Sequence, residues 1–350
     1  MGARISSTLL ALLRGSKAYA QANLRTCQTP ADLYFMQYKC IPPPPTKHAV
    51  LHRYNRNDTM IDESTIQSGD LISNEVGSGV LIVGDIHGCI DEFRKLLKKA
   101  VKENNNNPFE AVILVGDLVN KGPASAEVVR EVRLTPGIFA VRGNHDEGSL
   151  AAALGDEVRR KKKKYQWVMD GENCEACDGM YLSDDDVMWM SELPYTIRIP
   201  WILQEDGTEV IIVHAGVVPN MPLEKQTVDT MLTVRELIAI PRDGDVGKVD
   251  LVDARKYELT READDKASAH TCTAESSHES GPQPWARIWK GPQHVVFGHD
   301  ARRGLQQYEL ATGLDTGCVY GGSLTGIILP RRQFVGVVAA EEYSVKGGKE

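Results

Sequence analysis

Residues 79–88 read GVLIVGDIHG, in which an apolar run is followed by glycines and short polar side chains. The run Val80–Val83 predicts a buried strand, and the apolar face that follows over Ile90–Val101 predicts a helix. The same order of apolar run, polar loop and helical pattern recurs, with AVILVGDLVNKGP at residues 111–123 and IFAVRGNHD at residues 138–146. This alternation predicts a parallel α/β sheet with right-handed crossovers.

Later apolar runs follow one another without room for a helix, so part of the architecture is expected to be antiparallel. These predicted strands are Tyr195–Leu203, Glu209–Val213, His294–Phe297, Gln306–Leu310 and Leu324–Leu329. Further helices are predicted over Ala124–Val132 and after Asn144.

Composition places the chain among ordinary globular proteins. Its 350 residues are 42% hydrophobic and 25% charged, which argues against collagen, coiled coil and wholesale disorder. No apolar run approaches the roughly 18 residues of a membrane-spanning helix, so none is expected. The seven cysteines are odd in number and scattered, which indicates reduced thiols in an intracellular compartment. Of the net charge of −8, residues 1–60 carry +6 and the remainder −14, and so acidic a body argues against general binding to nucleic acid. No sequence-specific binding is expected either.

The N-terminal part of the chain has a different composition from the rest. Residues 1–31 contain no acidic residue but several arginines and serines, which is typical of a mitochondrial presequence. Met1–Ser6 also fits the N-myristoylation pattern, which would leave a cytoplasmic protein. Ala18–Ala20 fits a secretory signal, and an unprocessed tail is the remaining alternative. The sequence favours the mitochondrial interpretation.

Five predicted strand ends carry carboxylate, imidazole or amide side chains. Because the carboxyl ends of parallel strands lie side by side, these groups are expected to meet at one edge of the sheet. Burying so many ionisable groups together without a cation would be costly. Mixed carboxylate and imidazole ligands suit manganese, iron, zinc or cobalt better than calcium. The candidate ligands are Asp85, His87, Asp117, Asn144, His214 and His299.

The order Gly-Asp-x-His-Gly, Gly-Asp-x-Val, Gly-Asn-His-Asp, His-Ala-Gly and Gly-His resembles the phosphoprotein phosphatase type of calcineurin-like metallophosphoesterase. Within that superfamily, residues 116–123, 214–219 and 314–322 resemble the ApaH-like phosphatases. Bacterial members of this branch split diadenosine tetraphosphate symmetrically. The resemblance covers roughly residues 79–339 and implies an α/β fold, the metallophosphoesterase β-sandwich of two mixed sheets flanked by helices.

The resemblance also implies two divalent metal ions, Mn²⁺, Fe²⁺, Zn²⁺ or Co²⁺. Asp117 would bridge them, with Asp85 and His87 completing one site. The ligands of the other site would be Asp117, Asn144, His214 and His299. Two such ions lower the pKa of a shared water for in-line attack on phosphorus. His145 would protonate the leaving oxygen.

Three residues are predicted to contact the substrate: Arg142, Lys121 and Asn120. Arg142 can hold phosphate oxygens bidentately. Protein phosphatases usually carry Asp and Arg where this chain has Asn120 and Lys121. Asn120 can accept a hydrogen bond from His145 but cannot stabilise an imidazolium by charge, and Lys121 offers a point charge instead of a planar fork. The hypothesis is therefore a polyphosphate-type linkage, whose good leaving group needs less help from an acid.

These expectations together predict a metal-dependent phosphohydrolase that acts on a phosphate ester or anhydride. The expected partners are a dinucleoside polyphosphate, an RNA 5′ end or cap, inorganic polyphosphate or another phosphorylated small molecule. A protein serine/threonine phosphatase is the alternative enzyme, and a catalytically silent metal-containing binding module is an alternative of another class. Metal identity, oligomeric state and regulators stay open.

The resemblance also divides the chain. The predicted parts are a basic leader (1–45), a linker (46–78), the metallophosphoesterase domain (79–340), with insertions near residues 156–185 and 253–284, and a tail (341–350). Arg159–Lys164 is interpreted as a solvated basic face. Cys174 and Cys177 form one CxxC pair, which is too few ligands for a structural zinc site without others.

Overall fold

The computed structural model describes residues 48–50, 79–168, 181–203, 208–241, 249–256 and 281–345. The predicted leader, Cys174, Cys177 and most of the 253–284 insertion lie outside the described residues. Within the described ranges, no helix combines the length and the apolar character needed to cross a membrane.

Strands and helices alternate through the first half of the described chain. The strands are β1 (His48–Val50), β2 (Val80–Val83), β3 (Ala111–Leu114), β4 (Ile138–Ala140), β5 (Thr196–Leu203), β6 (Glu209–Val213), β7 (Glu236–Pro241), β8 (Val249–Asp253), β9 (Gln283–Pro284), β10 (His294–Phe297), β11 (Gln306–Gln307), β12 (Ala311–Gly313), β13 (Ser323–Leu329) and β14 (Gln333–Val338). The α-helices are α1 (Ile90–Glu103), α2 (Ser125–Leu134), α3 (Asn144–Ala153), α4 (Glu157–Arg160), α5 (Asp184–Glu192), α6 (Val228–Thr233) and α7 (Trp285–Ile288).

Two larger sheets form the body. One has the strand order β14-β13-β2-β3-β4, in which β2, β3 and β4 are parallel and the other two strands are antiparallel additions. The other has the order β1-β5-β6-β10-β12-β11, with β6, β10 and β12 parallel. A small third sheet has the order β8-β7-β9. The predicted combination of parallel and antiparallel strands is confirmed.

The two larger sheets pack face to face, which explains why their strands are apolar on both faces. In β2, Val80 and Ile82 pack in a core cluster with Ile212 of β6, whereas Leu81 and Val83 pack with helix residues such as Phe93 of α1. A strand buried on both sides reads as a continuous apolar run instead of an alternating one. The implied sandwich of two mixed sheets flanked by helices is therefore present.

The structure differs from the predicted elements in several places. The predicted strand Gln306–Leu310 is wrong as a single element, because residues 308–310 form a turn between the antiparallel pair β11 and β12. Strands β7, β8 and β14 and helix α5 have no counterpart in the prediction. Edge strand β14 is only partly buried, so its sequence lacks the uniform apolar run that marks β2 and β3.

Candidate metal centre

The candidate ligands meet where the carboxyl ends of the parallel strands of both large sheets come together. Two groups of three side chains have ligand atoms within 4.8 Å of one another and could each hold a metal ion. Asp117 belongs to both groups. The first group is His87, Asp117 and His145, and the second is Asp117, His214 and His299.

Asp117 lies between two histidines, with one carboxylate oxygen directed to each. Asp117 Oδ2 is 3.4 Å from His87 Nε2, and Asp117 Oδ1 is 3.4 Å from His214 Nε2. The other ring nitrogens, the Nδ1 atoms, lie 2.9 Å from the carbonyl oxygens of Val119 and Val115, and a carbonyl can only accept, so these Nδ1 atoms carry hydrogen. Each neutral ring therefore turns an Nε2 lone pair toward a carboxylate oxygen.

A lone pair facing a lone pair at this distance is unfavourable unless a positive charge lies close to both atoms. At His87 the Lys121 ammonium, 3.0 Å from Nε2, provides such a charge, whereas His214 Nε2 faces the oxygens of Asp117 and Asn144. Burial lowers the pKa of His87 well below its usual value and the pKa of His214 to about 4, which keeps both rings in the neutral form that binds metals. Burial raises the pKa of Asp117 to about 6, since no positive charge fully compensates the carboxylate. The donor set around Asp117 thus fits a divalent cation on each side of its carboxylate.

Asn144 lies between the two histidines of the second group, His214 and His299. Its side-chain oxygen lies 3.0 Å from His214 Nε2 and 2.9 Å from His299 Nδ1, so one amide oxygen faces two imidazoles. Asp85 belongs to neither group of three, but both of its oxygens accept the His299 backbone amide at 3.1 Å. Burial and the charge of Asp315 raise the pKa of Asp85. Ligation by Asp85 and Asn144 stays a prediction that this placement permits.

The backbone at the site adopts conformations that L-residues rarely use. Several candidate residues have φ angles in the left-handed region, at a cost of about 1–3 kcal/mol each. These φ angles are 47° at His87, 50° at Asp117, 71° at Asn120, 70° at Lys121 and 67° at His299. Such strain clusters at functional sites because it aims side chains that a relaxed strand end would direct elsewhere.

His145 stands at the start of α3, beside Asn144. Its backbone amide donates to Asp117 Oδ1 at 2.8 Å, and its ring meets the His87 ring edge-on with centroids 4.9 Å apart. The His145 Nδ1 atom lies 3.1 Å from Asn120 Nδ2. This differs from the expectation that Asn120 accepts from His145, because the Asn120 oxygen is already bonded to Ser149 and Trp167.

Arg142 is nearly fully buried and its guanidinium has several protein partners. It pairs with Glu147 at 3.0 Å, lies 3.3 Å from the Tyr195 hydroxyl and donates to the carbonyls of Met190 and Ser191. These bonds hold α3 against the end of α5 and the segment that follows it. The predicted phosphate contact of Arg142 stays a prediction, and a structural role is already evident.

Lys121 reaches into the centre. Its Nζ lies 3.0 Å from His87 Nε2 and 5.2 Å from the centroid of the Tyr320 ring. The same His87 lone pair cannot serve both this ammonium and a metal ion, so metal binding at His87 requires Lys121 to move aside. An ammonium that moves away from His87 is suited to pair with a negatively charged phosphate.

Several residues at the centre were not predicted to act there. Asp146 accepts backbone amides from Gly143, Leu118 and Val119, which ties two of the motif loops together. Arg235 donates to the His299 carbonyl oxygen at 3.1 Å. Trp167 contacts Asn120 from a segment between two motifs. Asp146 stands in the Gly-Asn-His-Asp motif and could have been identified there. Arg235 and Trp167 stand in no motif of the sequence that would indicate a place at the site.

The chain matches the calcineurin-like phosphoesterase family over residues 79–303. It is 30% identical over 272 residues to the protein named symmetrical bis(5′-nucleosyl)-tetraphosphatase in Yersinia pseudotuberculosis serotype O:3 (strain YPIII), covering 70% of this chain and 86% of that one. A protein of the same name from Yersinia pestis (strain Pestoides F) gives the same identity and coverage. A crystal structure assigned as a diadenosine tetraphosphatase is similar with a TM-score of 0.51 and 32% identity, covering 77% of this chain and 98% of that one.

Proposed function

The chain belongs to the calcineurin-like phosphoesterase family, and we propose that it hydrolyses the phosphoanhydride bonds of dinucleoside polyphosphates with the help of two divalent metal ions. The family makes it a metal-dependent hydrolase of phosphoric ester or anhydride bonds. The observation that carries the proposal is the Asp117 carboxylate between two neutral imidazoles, each with its Nε2 lone pair turned toward it.

The proposed ligands are the six predicted from the sequence. They are Asp85, His87, Asp117, Asn144, His214 and His299. When bound, a pair of such ions supplies Lewis acidity that activates water and polarises the phosphate. The carbonyls of Val119 and Val115 fix the hydrogen on Nδ1 of His87 and His214, so that Nε2 is presented for ligation.

The other residues of the site bind and orient the substrate in this proposal. Lys121 leaves His87 and pairs with a phosphate oxygen, which its single charge on a flexible stem permits. His145 faces the leaving oxygen and donates a hydrogen bond to it. Arg142 holds α3, the helix that carries Asn144 and His145, in place through its ion pair with Glu147. Arg142 contacts phosphate as predicted only if its guanidinium gives up one of its present hydrogen-bond partners.

A comparison of four substrates tests the proposal. Diadenosine tetraphosphate, capped RNA, long-chain polyphosphate and a phosphoserine peptide are incubated with the full chain and Mn²⁺, and the products are quantified. We expect the dinucleoside polyphosphate to be cleaved with the highest kcat/KM. Faster cleavage of the phosphopeptide than of every anhydride would contradict the proposal and favour the serine/threonine phosphatase alternative.

The alternative of a silent, metal-containing binding module is tested with a generic aryl phosphate. Turnover with added Mn²⁺ that is abolished in Asp117→Asn identifies an enzyme, because Asp117 contributes to both groups of three side chains. Mn²⁺ binding without turnover of any phosphate substrate would favour the binding module.

For the cellular location, we propose mitochondrial import directed by the basic leader of residues 1–45, with residues 79–340 as the catalytic domain. The support is compositional: no acidic residue precedes Asp32, whereas arginines and serines recur. Mass spectrometry of the mature N-terminus distinguishes a cleaved presequence from an N-myristoylated Gly2. An intact N-terminus in the mature protein would contradict cleavage.

A further inference from the structure

A run of basic side chains, residues 159–164, leads into the 3₁₀ helix Lys163–Val168, which packs beside α3. Arg160 anchors the run, because its guanidinium donates to two carbonyl oxygens at the C-terminal end of α3. The sequence predicts a solvated basic face for the whole run, and residues 161–163 are exposed as expected. Lys164 differs, because it is half-buried.

The 3₁₀ helix has three distinct faces, since side chains three residues apart in such a helix lie one above the other. Its exposure follows this pattern closely. The pairs on the three faces are Tyr165 and Val168, which are buried, Lys163 and Gln166, which are exposed, and Lys164 and Trp167, which are half-buried. Lys164 therefore shares its face of the helix with a tryptophan and not with the other lysine.

The half-buried face is directed toward the candidate metal centre. The Trp167 indole nitrogen donates to Asn120 Oδ1, and Lys164 stands one 3₁₀ turn before Trp167, so both side chains leave the helix on this side. Lys164 Nζ lies 5.5 Å from the centroid of the Tyr165 ring. Tyr165 is packed so closely on Gly148 of α3 that a Cβ at Gly148 would overlap the tyrosine hydroxyl. The lysine thus projects from a segment that is firmly packed on α3.

The positive charge of Lys164 reaches the side chains of the centre. Burial raises the pKa of Asp117 to about 6, and the charges of Lys121 and Lys164 both oppose this rise. Burial lowers the pKa of His145 well below its usual value, and the same two charges add to the fall. Lys121 has the larger effect in both cases, as the closer of two charges does. Two lysines therefore stand at two distances from the same side chains.

We propose that Lys164 is a further substrate-binding residue, which pairs with a phosphate next to the one that is cleaved and thereby favours substrates with several linked phosphates. The inference rests on the proposed function, which it deepens by naming a residue that distinguishes a phosphate chain from a single phosphate.

The preference follows from the number of phosphates that a substrate presents. Lys121 is placed to pair with the phosphate at the metal ligands, and a phosphate monoester has no other phosphate. A dinucleoside tetraphosphate carries further phosphates, whose charges are attracted only by local cations, since the chain beyond residue 60 is strongly acidic. Lys164 provides such a cation farther from the ligands, and its flexible stem suits a phosphate that is not fixed by a metal ion.

The test is Lys164→Gln, and Lys163→Gln is the matched control, because it removes the same charge from the exposed face of the same helix. Steady-state kinetics of the full chain with Mn²⁺ compare diadenosine tetraphosphate with para-nitrophenyl phosphate, which presents one phosphate. We expect Lys164→Gln to raise KM for the dinucleotide about tenfold, the cost of one charge-assisted hydrogen bond, and to leave KM for the aryl phosphate unchanged. Lys163→Gln should change neither value.

A binding measurement tests the same inference without turnover. Isothermal titration calorimetry of the full chain, at saturating free Mn²⁺, uses inorganic phosphate and a diadenosine tetraphosphate analogue with methylene groups in place of the bridging oxygens. We expect Lys164→Gln to weaken binding of the analogue about tenfold without changing the affinity for phosphate. Lys164→Arg retains the charge and should restore most of the affinity, which a purely structural role of Lys164 does not explain.

Equal losses for the analogue and for phosphate in Lys164→Gln, or equal effects of Lys164→Gln and Lys163→Gln, would overturn this inference. Failure of the proposed function is a different outcome. If the wild type cleaves no anhydride, the proposed function fails, whereas a selective loss of analogue binding in Lys164→Gln still assigns Lys164 to phosphate binding. If the wild type cleaves diadenosine tetraphosphate but Lys164→Gln retains its KM and analogue affinity, only the role of Lys164 fails. A wild type that binds no analogue contradicts both.

Discussion

The backbone of Gly143 lies so close to Asp117 that a Cβ at Gly143 would overlap both the backbone nitrogen and Oδ1 of Asp117. The glycine that precedes Asn144 is therefore required by the position of the carboxylate shared between the two groups of side chains. The sequence motif Gly-Asn-His-Asp depends on this contact, since the loops after β3 and β4 could not otherwise approach each other.

Gly143→Ala is expected to displace Asp117 and weaken Mn²⁺ binding. Perturbing residues that support metal ligands typically costs 10- to 100-fold in affinity or activity, and we expect an effect of about this size. Isothermal titration calorimetry with Mn²⁺ measures it. Gly336→Ala in β14 is the control, because a Cβ there meets only ordinary contacts of 3.6 and 3.7 Å. Equal Mn²⁺ affinity in both variants would contradict this account.

Asp146 provides a second connection between these loops, and its replacement should lower stability. Its carboxylate accepts three buried backbone amides, those of Leu118 at 2.9 Å, Val119 at 3.3 Å and Gly143 at 2.8 Å. Asp146→Asn turns a donor toward at least one of these amides. We expect the free energy of unfolding to fall by about 2–4 kcal/mol in denaturant titrations, because buried unsatisfied amides cost about 1–3 kcal/mol each.

The exposed Asp185 in the first turn of α5 offers a matched change of charge. Asp185→Asn should lower the free energy of unfolding by less than about 1 kcal/mol. A loss for Asp146→Asn no larger than this would show that the three amides find other partners.

Much of the fold is predictable from short-range patterns. Strands β2 and β3 are continuous apolar runs because both of their faces are buried, and β6 and β10 are apolar after their first residues, Glu209 and His294. The polar residues that follow each run mark the strand ends. Edge strand β14 lacks this signal because one face is partly exposed.

The site is predictable to the extent that its residues are adjacent to strand ends. His87, Asp117, His214 and His299 could be identified in this way, and the structure brings them together. The contact between Trp167 and Asn120 could not be identified, because it depends on how the 3₁₀ helix Lys163–Val168 packs on α3. The burial of the Arg142 guanidinium also depends on tertiary contacts, with Glu147 and two carbonyls of the α5 end.

Lys121→Gln should strengthen the binding of metal and weaken the binding of substrate. The Lys121 ammonium lies 3.0 Å from His87 Nε2, so its removal frees a ligand and removes repulsion of an incoming cation. We expect tighter Mn²⁺ binding, by a few-fold, together with a rise in KM for diadenosine tetraphosphate of about tenfold, the cost of one charge-assisted hydrogen bond. Calorimetry and steady-state kinetics measure the two effects separately.

The control for this pair of effects is Lys98→Gln, at an exposed position of α1. It should leave both Mn²⁺ affinity and KM unchanged. If Lys121→Gln weakens Mn²⁺ binding, the lysine does not compete with the metal, and the proposed movement of its side chain would be wrong.

The stabilisation that Mn²⁺ confers should depend on pH through the buried carboxyl groups. Burial raises the pKa of Asp117 and of Asp315 to about 6, above the usual value of 3.8. Between these values the folded metal-free protein binds more protons than the unfolded chain, so the contribution of these groups to stability falls as pH rises through this window. A metal ion reverses the trend, because it takes the place of the protons.

We therefore expect the rise in Tm on adding Mn²⁺ to be small near about pH 5, where protons occupy the site, and larger near about pH 7.5. His214 does not compete over this range, since burial lowers its pKa to about 4. Differential scanning fluorimetry with Mn²⁺ or with EDTA at both pH values measures the effect. Asp117→Asn should lose most of the rise at pH 7.5, and an equal rise at both pH values in the wild type would mean that Mn²⁺ displaces no proton from these carboxyl groups.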